Sequence, residues 1–532
     1  MTAPADLAAA IARLKSDPVR WARQTCTIRD KHKQLRKFDA NGVQRNLLQR
    51  ERAQRARQGN VRQYILKARQ AGISTWEQIL NLHTVWATTN VDALTIADKQ
   101  DRTEAIFEIT TRVIRYFPPA LLPHMSTKRA KEINFPNLDA KFRTDTAGAA
   151  DPARGLTLGR FHGSEFAHWA KPRETLASAT PSMIPDSAIV LETTANMYED
   201  EAHDFWRETE EGGNSYEACF YPWWDCDPLN YRRPLIEPDE LLPYTEEEQL
   251  LMANAKSAID PTQRGLDPEQ IKFRRMMMKD MGVALFMREY AEDPETCWMA
   301  AGDMFYEADL LKWLLYAAPE PIRVEDGVEY FRDMAPPGTT RFIVGSDTAE
   351  GGAKDRFTYE VQAFPSGALM ERYESSRCTP EDFADRLNTV GRKYRLALLV
   401  IEKNFHGITV HRRLRSPACN YPIQRIYHRQ SYAQNTAKPT REMGWLTNAD
   451  TKALLLDHGR QSFLAARDAG KSQIPKGVIK DAFAIRRDEE GKIKINGRDN
   501  FVAHTLARAG RDYPYLPLGS PAPPTVIVSP LR

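Results

Sequence analysis

The chain has 532 residues, 42% hydrophobic and 27% charged, with a formal net charge of +3. That is the balance of an ordinary globular protein too long for one core, so two or three domains are expected. No run of about 18 apolar residues occurs, which excludes a spanning helix, and Met1 to Lys15 lacks the parts of an export signal. Six scattered cysteines (Cys26, Cys219, Cys226, Cys297, Cys378 and Cys419) contain no C-x-x-C pair. They argue against a zinc site or a disulfide framework and fit a reducing cytoplasm.

Residues 1–37 are helical in pattern and rich in Lys and Arg, with no assignable chemistry. Phe38 to Gln44 follows, then a helix from Arg45; a glutamine such as Gln44, shortly before a nucleotide-binding strand, can read an adenine edge through its amide. Gln63 to Thr75 reads as a buried strand, a short polar loop with one glycine (Gly72) and a hydroxyl pair (Ser74, Thr75) opening a helix. That is the layout of a phosphate-binding loop, in which backbone N–H groups and a helix N-terminus hold anionic oxygens and a hydroxyl serves Mg²⁺. The G-x-x-x-x-G-K-[ST] pattern is broken twice, by Lys67 at the first glycine and Ile73 at the lysine, so a plain strand–helix loop stays open as the other reading.

Val91 to Ala97 reads as a second strand and Arg102 to Tyr116 as an amphipathic helix. Strands alternating with helices imply a parallel sheet whose ligand site lies beyond the strand C-termini. Leu156 to Ala167 is an apolar-leaning strand ending in Ser164-Glu165. A second NTPase motif needs a carboxylate there for Mg²⁺ and a following Glu to activate water. Ser164 replaces the first, and Glu165 keeps the second. The strand Ala188 to Leu191 runs into Glu192-Thr193-Thr194-Ala195-Asn196, small polar residues able to sense a γ-phosphate. From Trp223 to about Pro336 prolines break the alternation, and helical stretches (Thr245 to Ser257, Asp267 to Asp280) suggest a lid and linker. The Met276-Met277-Met278 run reads as packing.

A second centre begins at Arg341. One buried strand delivers Asp347, a glycine-rich turn leads to Asp355 and the strand Phe357 to Ala363, and the strand Leu396 to Ile401 delivers Glu402. Gly497-Arg498-Asp499 opens a further helix. Carboxylates held together at two strand ends and a helix start repel unless cations sit among them, and oxygen-only ligands suit Mg²⁺ or Mn²⁺. Charge is also uneven: Ala195 to Leu250 holds 16 acidic and 3 basic residues, whereas Gly391 to Glu442 holds 11 basic and 2 acidic. The latter, interleaved with Tyr421, Tyr427 and Tyr432, is a candidate polyanion surface; a solvated, ion-paired face is the alternative. Residues 513–532 are proline-rich and read as an extended tail.

Taken together, these motifs resemble the large terminase subunit of tailed bacteriophages and related prophage or gene-transfer particles. The resemblance spans about residues 38–511. It rests on K-x-R-Q-x-G-x-S-T, S-E-x-A, E-T-T-A-N, F-Y-P-W, Glu289 to Phe305, G-S-D-T-A-E-G-G, V-I-E-K-N-x-H-G, G-W-L-T-N (Gly444 to Asn448) and G-R-D-N-F-V, in that order. It implies an α/β chain: an N-terminal P-loop NTPase with a RecA/ASCE-like parallel sheet and a C-terminal RNase H-like nuclease domain. The expected organisation is a helical segment over 1–37, the ATPase over 38–225, a lid or linker over 226–335, the nuclease over 336–512 and a tail over 513–532.

In that family the lysine often moves to the front of the loop. The resemblance therefore implies ATP binding by Gln44, Lys67, Arg69, Gly72, Ser74 and Thr75, with Glu165 as catalytic base and Thr193, Thr194 and Asn196 coupling hydrolysis to movement. Nuclease metals, Mg²⁺ or Mn²⁺, fall to Asp347, Glu402 and Asp499, with Asp355 an auxiliary candidate. Asn500 stands where many members carry a second Asp, and Arg143 and Arg154 are candidates for a trans-acting arginine. Implied partners are double-stranded DNA, a small terminase subunit and the portal protein of a procapsid. A homo-oligomeric ring in the host bacterial cytoplasm, with no membrane association, completes the expectation. The alternatives are a helicase-like DNA translocase and an inactive prophage remnant acting as a scaffold.

Overall fold

A computed structural model describes residues 4–30, 33–126, 130–149, 152–198, 200–226, 231–299, 304–348, 356–431, 440–487, 492–495 and 497–514. The chain forms two units, 1–301 and 302–532. Among the described residues no helix is long and apolar enough to cross a membrane.

The first unit opens with helices α1 (Pro4–Ser16) and α2 (Pro18–Thr25) and a hairpin of β1 (Thr27–Arg29) and β2 (Leu35–Lys37). The helical expectation for 1–37 thus fails beyond Thr25, where the β-branched pair Thr27-Ile28 favours the extended chain. Helix α3 (Gly42–Gln58) starts in a capping box between Asn41 and Gln44 and ends at Gly59, whose φ of 83° suits glycine. Then come β3 (Val61–Lys67), α4 (Ile73–Ala87), β4 (Asp92–Ala97), α5 (Gln100–Arg115), β5 (Glu132–Phe135), β6 (Ala140–Thr146), β7 (Leu158–Ser164), α6 (Pro172–Ala179), β8 (Met183–Thr193), α7 (Glu201–Glu210) and β9 (Glu217–Tyr221).

These strands form one seven-stranded sheet in the order β5-β6-β4-β7-β8-β3-β9, parallel except for the β5–β6 hairpin at one edge. Strands β3 and β4 read as near-continuous buried runs because helices cover both faces of a parallel sheet. The hairpin β5–β6 and strand β9 were not foreseen. Strand β8 lies between β3 and β7, so the loop strand and the strand ending at Ser164-Glu165 both border it. Helices α3 and α4 are tied to the sheet by Arg160 on β7, whose Nη1 donates to Glu51 Oε2 (3.1 Å) and Nη2 to Glu77 Oε2 (2.6 Å). All three side chains are buried, so this triad fixes how the elements meet more than it adds net stability. The later helices α8 (Glu246–Asn254), α9 (Pro268–Met281), α10 (Val283–Glu289) and α11 (Thr296–Met299) complete the unit. Met277 and Met278 pack against its core, while Met276 is exposed.

The second unit comprises α12 (Ala308–Tyr316), β10 (Arg323–Glu325), β11 (Val328–Tyr330), β12 (Arg341–Asp347), β13 (Phe357–Phe364), β14 (Ala368–Ser375), α13 (Pro380–Lys393), β15 (Leu398–Ile401), α14 (Gly407–Arg415), the hairpin β16 (His428–Ser431) and β17 (Thr440–Met443), α15 (Ala449–Asp468), α16 (Lys476–Ala484), the short pair β18 (Arg486–Arg487) and β19 (Ile493–Lys494), and α17 (Asp499–Ala509). Its six-stranded sheet runs β10-β11-β14-β13-β12-β15; β12, β13 and β14 form an antiparallel meander and β15 joins β12 in parallel. This mixed sheet with its helices agrees with the RNase H-like α/β fold expected of the second domain. Helix α17 lies directly on β12. A Cβ at Gly345 would sit 2.0 Å from the Ala503 carbonyl oxygen, so only glycine admits this approach.

Candidate functional sites

The first site is assembled where β3, β7 and β8 end. Lys67 is the last residue of β3, and its ammonium is buried between two carboxylates, 3.1 Å from Glu165 Oε1 and 2.9 Å from Glu192 Oε2. Burial alone would lower its pKa; Glu165 and Glu192 more than offset that and hold it above the usual lysine value. The loop then turns at Gly72, with φ of 77°, and α4 begins with no side chain capping it. An N-terminus of this kind directs backbone N–H groups and the helix dipole at whatever anion approaches. Ser74, in its first turn, donates to Glu192 Oε1 at 2.8 Å, and Thr75 beside it is half-buried.

Glu165 follows β7 in the left-handed region, with φ of 52°, a conformation that a non-glycine residue adopts only when its surroundings hold it there. Its Oε2 accepts from the Thr194 backbone N–H (3.2 Å) and lies 3.4 Å from the Thr194 hydroxyl. Thr193 Oγ1 accepts from the Ala167 N–H at 3.2 Å, and Asn196 Nδ2 donates to the Ala167 carbonyl at 3.0 Å. Thr193, Thr194 and Asn196 therefore clamp the turn that carries Glu165.

Two of the expected nucleotide contacts are engaged elsewhere. Gln44 is buried; its Oε1 accepts from the Asn41 N–H (2.9 Å) and its Nε2 donates to the Gly72 carbonyl (2.8 Å), which ties α3 to the loop. Arg69 is exposed and ion-paired with Glu289 at 3.3 Å. Arg143 lies in β6, and Arg154 in the turn that precedes β7.

Sequence reasoning missed Glu192, which it passed over as the first letter of the coupling motif. It is fully buried, and its Oε1 accepts from both Ser74 and Ser164, each at 2.8 Å. His162 Nε2 lies 3.6 Å from the same oxygen, and the ring's Nδ1 faces Gln78 Nε2 at 3.0 Å. Burial would raise the Glu192 carboxyl, but Lys67 and His162 keep it ionised well below the usual range. The signal was present in the sequence as an acidic residue closing an apolar strand.

The second site is built on β12, β15 and α17. Ser346 and Ile401 are paired in the parallel ladder, so Asp347 and Glu402 are the next residues out on neighbouring strands. The Glu402 N–H donates to the Ser346 carbonyl at 3.0 Å. Asp499 opens α17, and its Oδ2 accepts from the Arg356 N–H at 2.7 Å. All three carboxylates are buried. Asp347 is pushed well above the usual carboxylate range by burial, then by the charge and hydrogen bond of Glu402, then by Asp499. Oxygen donors that penalise one another's charge in this way suit a hard divalent cation. As placed, no group of three or more His, Cys, Asp and Glu among the described residues is arranged to hold a metal ion. Asp355, the auxiliary candidate, lies outside the described residues.

Around this site the structure explains Asn500 and corrects the basic stretch. Asn500 Oδ1 accepts from the buried Arg372 Nη2 at 2.5 Å, and its N–H donates to Asp481 Oδ2 at 2.9 Å. Asp481, from α16, also accepts from the Phe501 N–H at 3.0 Å and so caps α17 from outside; burial raises its carboxyl to about 7. In the 391–442 stretch, Tyr421 and Tyr427 are core residues, Tyr421 donating to the Ala397 carbonyl at 2.6 Å. Arg413 is paired with Asp385, and Arg425 is buried. Arg412 and Arg415 are exposed, and Tyr432 lies outside the described residues.

No protein-family model matches the chain, and no curated protein matches it. Among solved structures it is similar to the large terminase of bacteriophage HK97, at 10% identity and a TM-score of 0.40, covering 93% of this chain and 99% of that one. It is similar to the large terminase of the thermophilic bacteriophage D6E at 9% identity and a TM-score of 0.31, covering 85% and 94%. The large terminase nuclease of thermophilic phage G20c, with bound magnesium, aligns at 16% identity and a TM-score of 0.28, covering 38% and 96%.

Proposed function

We propose that this chain is a terminase large subunit, an ATP-driven motor that moves double-stranded viral DNA into a procapsid and cuts the concatemer with a metal-dependent nuclease. The observation that carries the reading is the convergence of Lys67, Ser74 and Glu165 at the uncapped start of α4, with Thr194 holding Glu165. The sequence motifs in their order supply the rest.

At the first site the α4 N-terminus and Lys67 would receive the phosphates of ATP, whose developing charge in phosphoryl transfer needs such fixed positive ends. Glu165 Oε2 would accept the proton of the attacking water, with Thr194 fixing its angle. Because Thr193, Thr194 and Asn196 hold the same turn, a shift of Glu165 on loss of the γ-phosphate is transmitted to β8 and the chain beyond it. At the second site Asp347, Glu402 and Asp499 would hold Mg²⁺ or Mn²⁺. Such ions, when bound, activate water and stabilise the leaving oxygen of a phosphodiester. Exposed cations such as Arg412 and Arg415 would hold DNA phosphates without reading sequence.

A small terminase subunit and the procapsid portal are the partners this role requires, with a ring of copies on the portal in the host cytoplasm. The test is a pair of assays on the purified full chain. Lys67→Ala loses ATP turnover and keeps metal-dependent cleavage of double-stranded DNA, and Asp347→Ala does the reverse. Full turnover by the first variant, or unchanged cutting by the second, would remove the corresponding half of the reading.

A further inference from the structure

Strand β7 ends in Ser164, where the ATPase reading calls for a carboxylate, and a hydroxyl alone is a poor partner for a hydrated divalent cation. The structure places a carboxylate one strand away. Ser164 on β7 and Glu192 on β8 are directly paired in the parallel ladder, and neighbouring strands are about 4.8 Å apart. The extra methylene of glutamate helps to span that gap: Glu192 Oε1 is 2.8 Å from Ser164 Oγ, so it already occupies the space a residue-164 carboxylate would face. The same oxygen is 2.8 Å from Ser74 Oγ, the hydroxyl in the first turn of α4.

We infer that Glu192 is the carboxylate that positions Mg²⁺ at the nucleotide site, acting through Ser74 and the ion's water shell, with Ser164 as its hydrogen-bond partner. The acidic group has moved from β7 to β8 while keeping its point of action. Two further features fit this role. Glu192 is fully buried, so a carboxylate is retained there only with dedicated partners, and Lys67, Ser74, Ser164 and His162 are those partners. Glu192 is also the residue immediately before Thr193 and Thr194, so the group that senses the ion and the groups that hold Glu165 are consecutive along the chain where β8 ends.

This inference rests on the ATPase reading, and its test separates the two. Binding of a non-hydrolysable ATP analogue to the full chain is measured by calorimetry in EDTA and in Mg²⁺, for wild type, Glu192→Gln and the swap Glu192→Gln/Ser164→Asp. Wild type binds more tightly with Mg²⁺. In Glu192→Gln the metal-free affinity does not weaken, while the gain from Mg²⁺ falls by about 10–100-fold, the usual effect of losing an outer-shell partner. The swap recovers at least about tenfold of it on the same scale, a rescue that a purely structural Glu192 would not give. The inference is overturned if Glu192→Gln keeps the full gain, or if the swap binds the analogue in EDTA and shows no recovery. If Glu192→Gln alone does not fold, the swap decides by the same criterion. Absence of analogue binding by folded wild type would instead overturn the ATPase reading beneath it.

Discussion

Lys67 Nζ lies 3.1 Å from Glu165 Oε1, so the cation leading the loop is ion-paired with the residue read as the base. Both groups are largely sequestered, at 6% and 16% side-chain exposure, where water screens the pair poorly. Lys67→Ala should therefore lower ATP turnover by at least about 10²-fold, the scale for removing one preorganised charge partner. It should also destabilise the first unit by about 3–5 kcal/mol, because it leaves the buried Glu192 carboxylate without its cation. Turnover and chemical denaturation of the same preparation check both halves.

The Thr194 contacts to Glu165 predict a different kinetic signature. Thr194→Val keeps the backbone N–H and removes the hydroxyl, so Glu165 retains its 3.2 Å anchor and loses the 3.4 Å one. The expected outcome is a fall in kcat of roughly tenfold with nucleotide affinity within about twofold, as for an interaction that matters in the transition state. A loss confined to KM would contradict it.

His83 gives a pH test of the packing behind the site. The ring is buried beside Trp21, and Nε2 donates to the Leu14 carbonyl at 3.0 Å, which requires only the neutral imidazole. Burial pulls its pKa from 6.5 down to about 4. The folded state therefore binds fewer protons than the unfolded chain between those values. Stability from this group is complete above pH 6.5 and is lost as the pH falls toward 4, by about 3 kcal/mol in all. Urea denaturation between pH 7.5 and 4.5 should show the slope, and His83→Gln should flatten it.

Asn500 sits beside the proposed nuclease residues, yet its side chain is committed to Arg372. Asn500→Ala should leave DNA cleavage within about threefold and cost about 1–3 kcal/mol, the price of an unsatisfied buried partner. A hundredfold loss of cutting at unchanged stability would make Asn500 part of the reaction.

The elements proposed to carry chemistry were legible because each is a boundary. Lys67, Glu165, Asp347 and Glu402 close or follow apolar runs, and Asp499 opens a helix, so burial period and polarity mark them together. Glu192 also closes an apolar run, but as the first residue of E-T-T-A-N it was read with that motif, and its partner Ser164 lies on another strand; only the sheet order brings those two together. Asp481 was illegible for the same reason, since it caps a helix 19 residues further along. The tyrosines of the basic stretch misled because a solvent-facing and a core aromatic look alike in sequence; the contact of Tyr421 with the Ala397 carbonyl places it inside. The lysine-first loop is legible only once its neighbours are known.

The central claim is that one chain carries two separable chemistries, and the near-isosteric variants Glu165→Gln and Asp347→Asn test it most directly. ATP turnover and metal-dependent DNA cleavage are measured side by side on the full-length proteins. The account predicts that Glu165→Gln loses turnover by at least about 10²-fold and still cuts, and that Asp347→Asn loses cutting and still turns over ATP. Asp347→Asn should also melt higher than wild type in chelator, because the amide escapes the penalty that burial, Glu402 and Asp499 place on an ionisable carboxyl there. Undiminished turnover in Glu165→Gln, or undiminished cleavage in Asp347→Asn, would contradict the account.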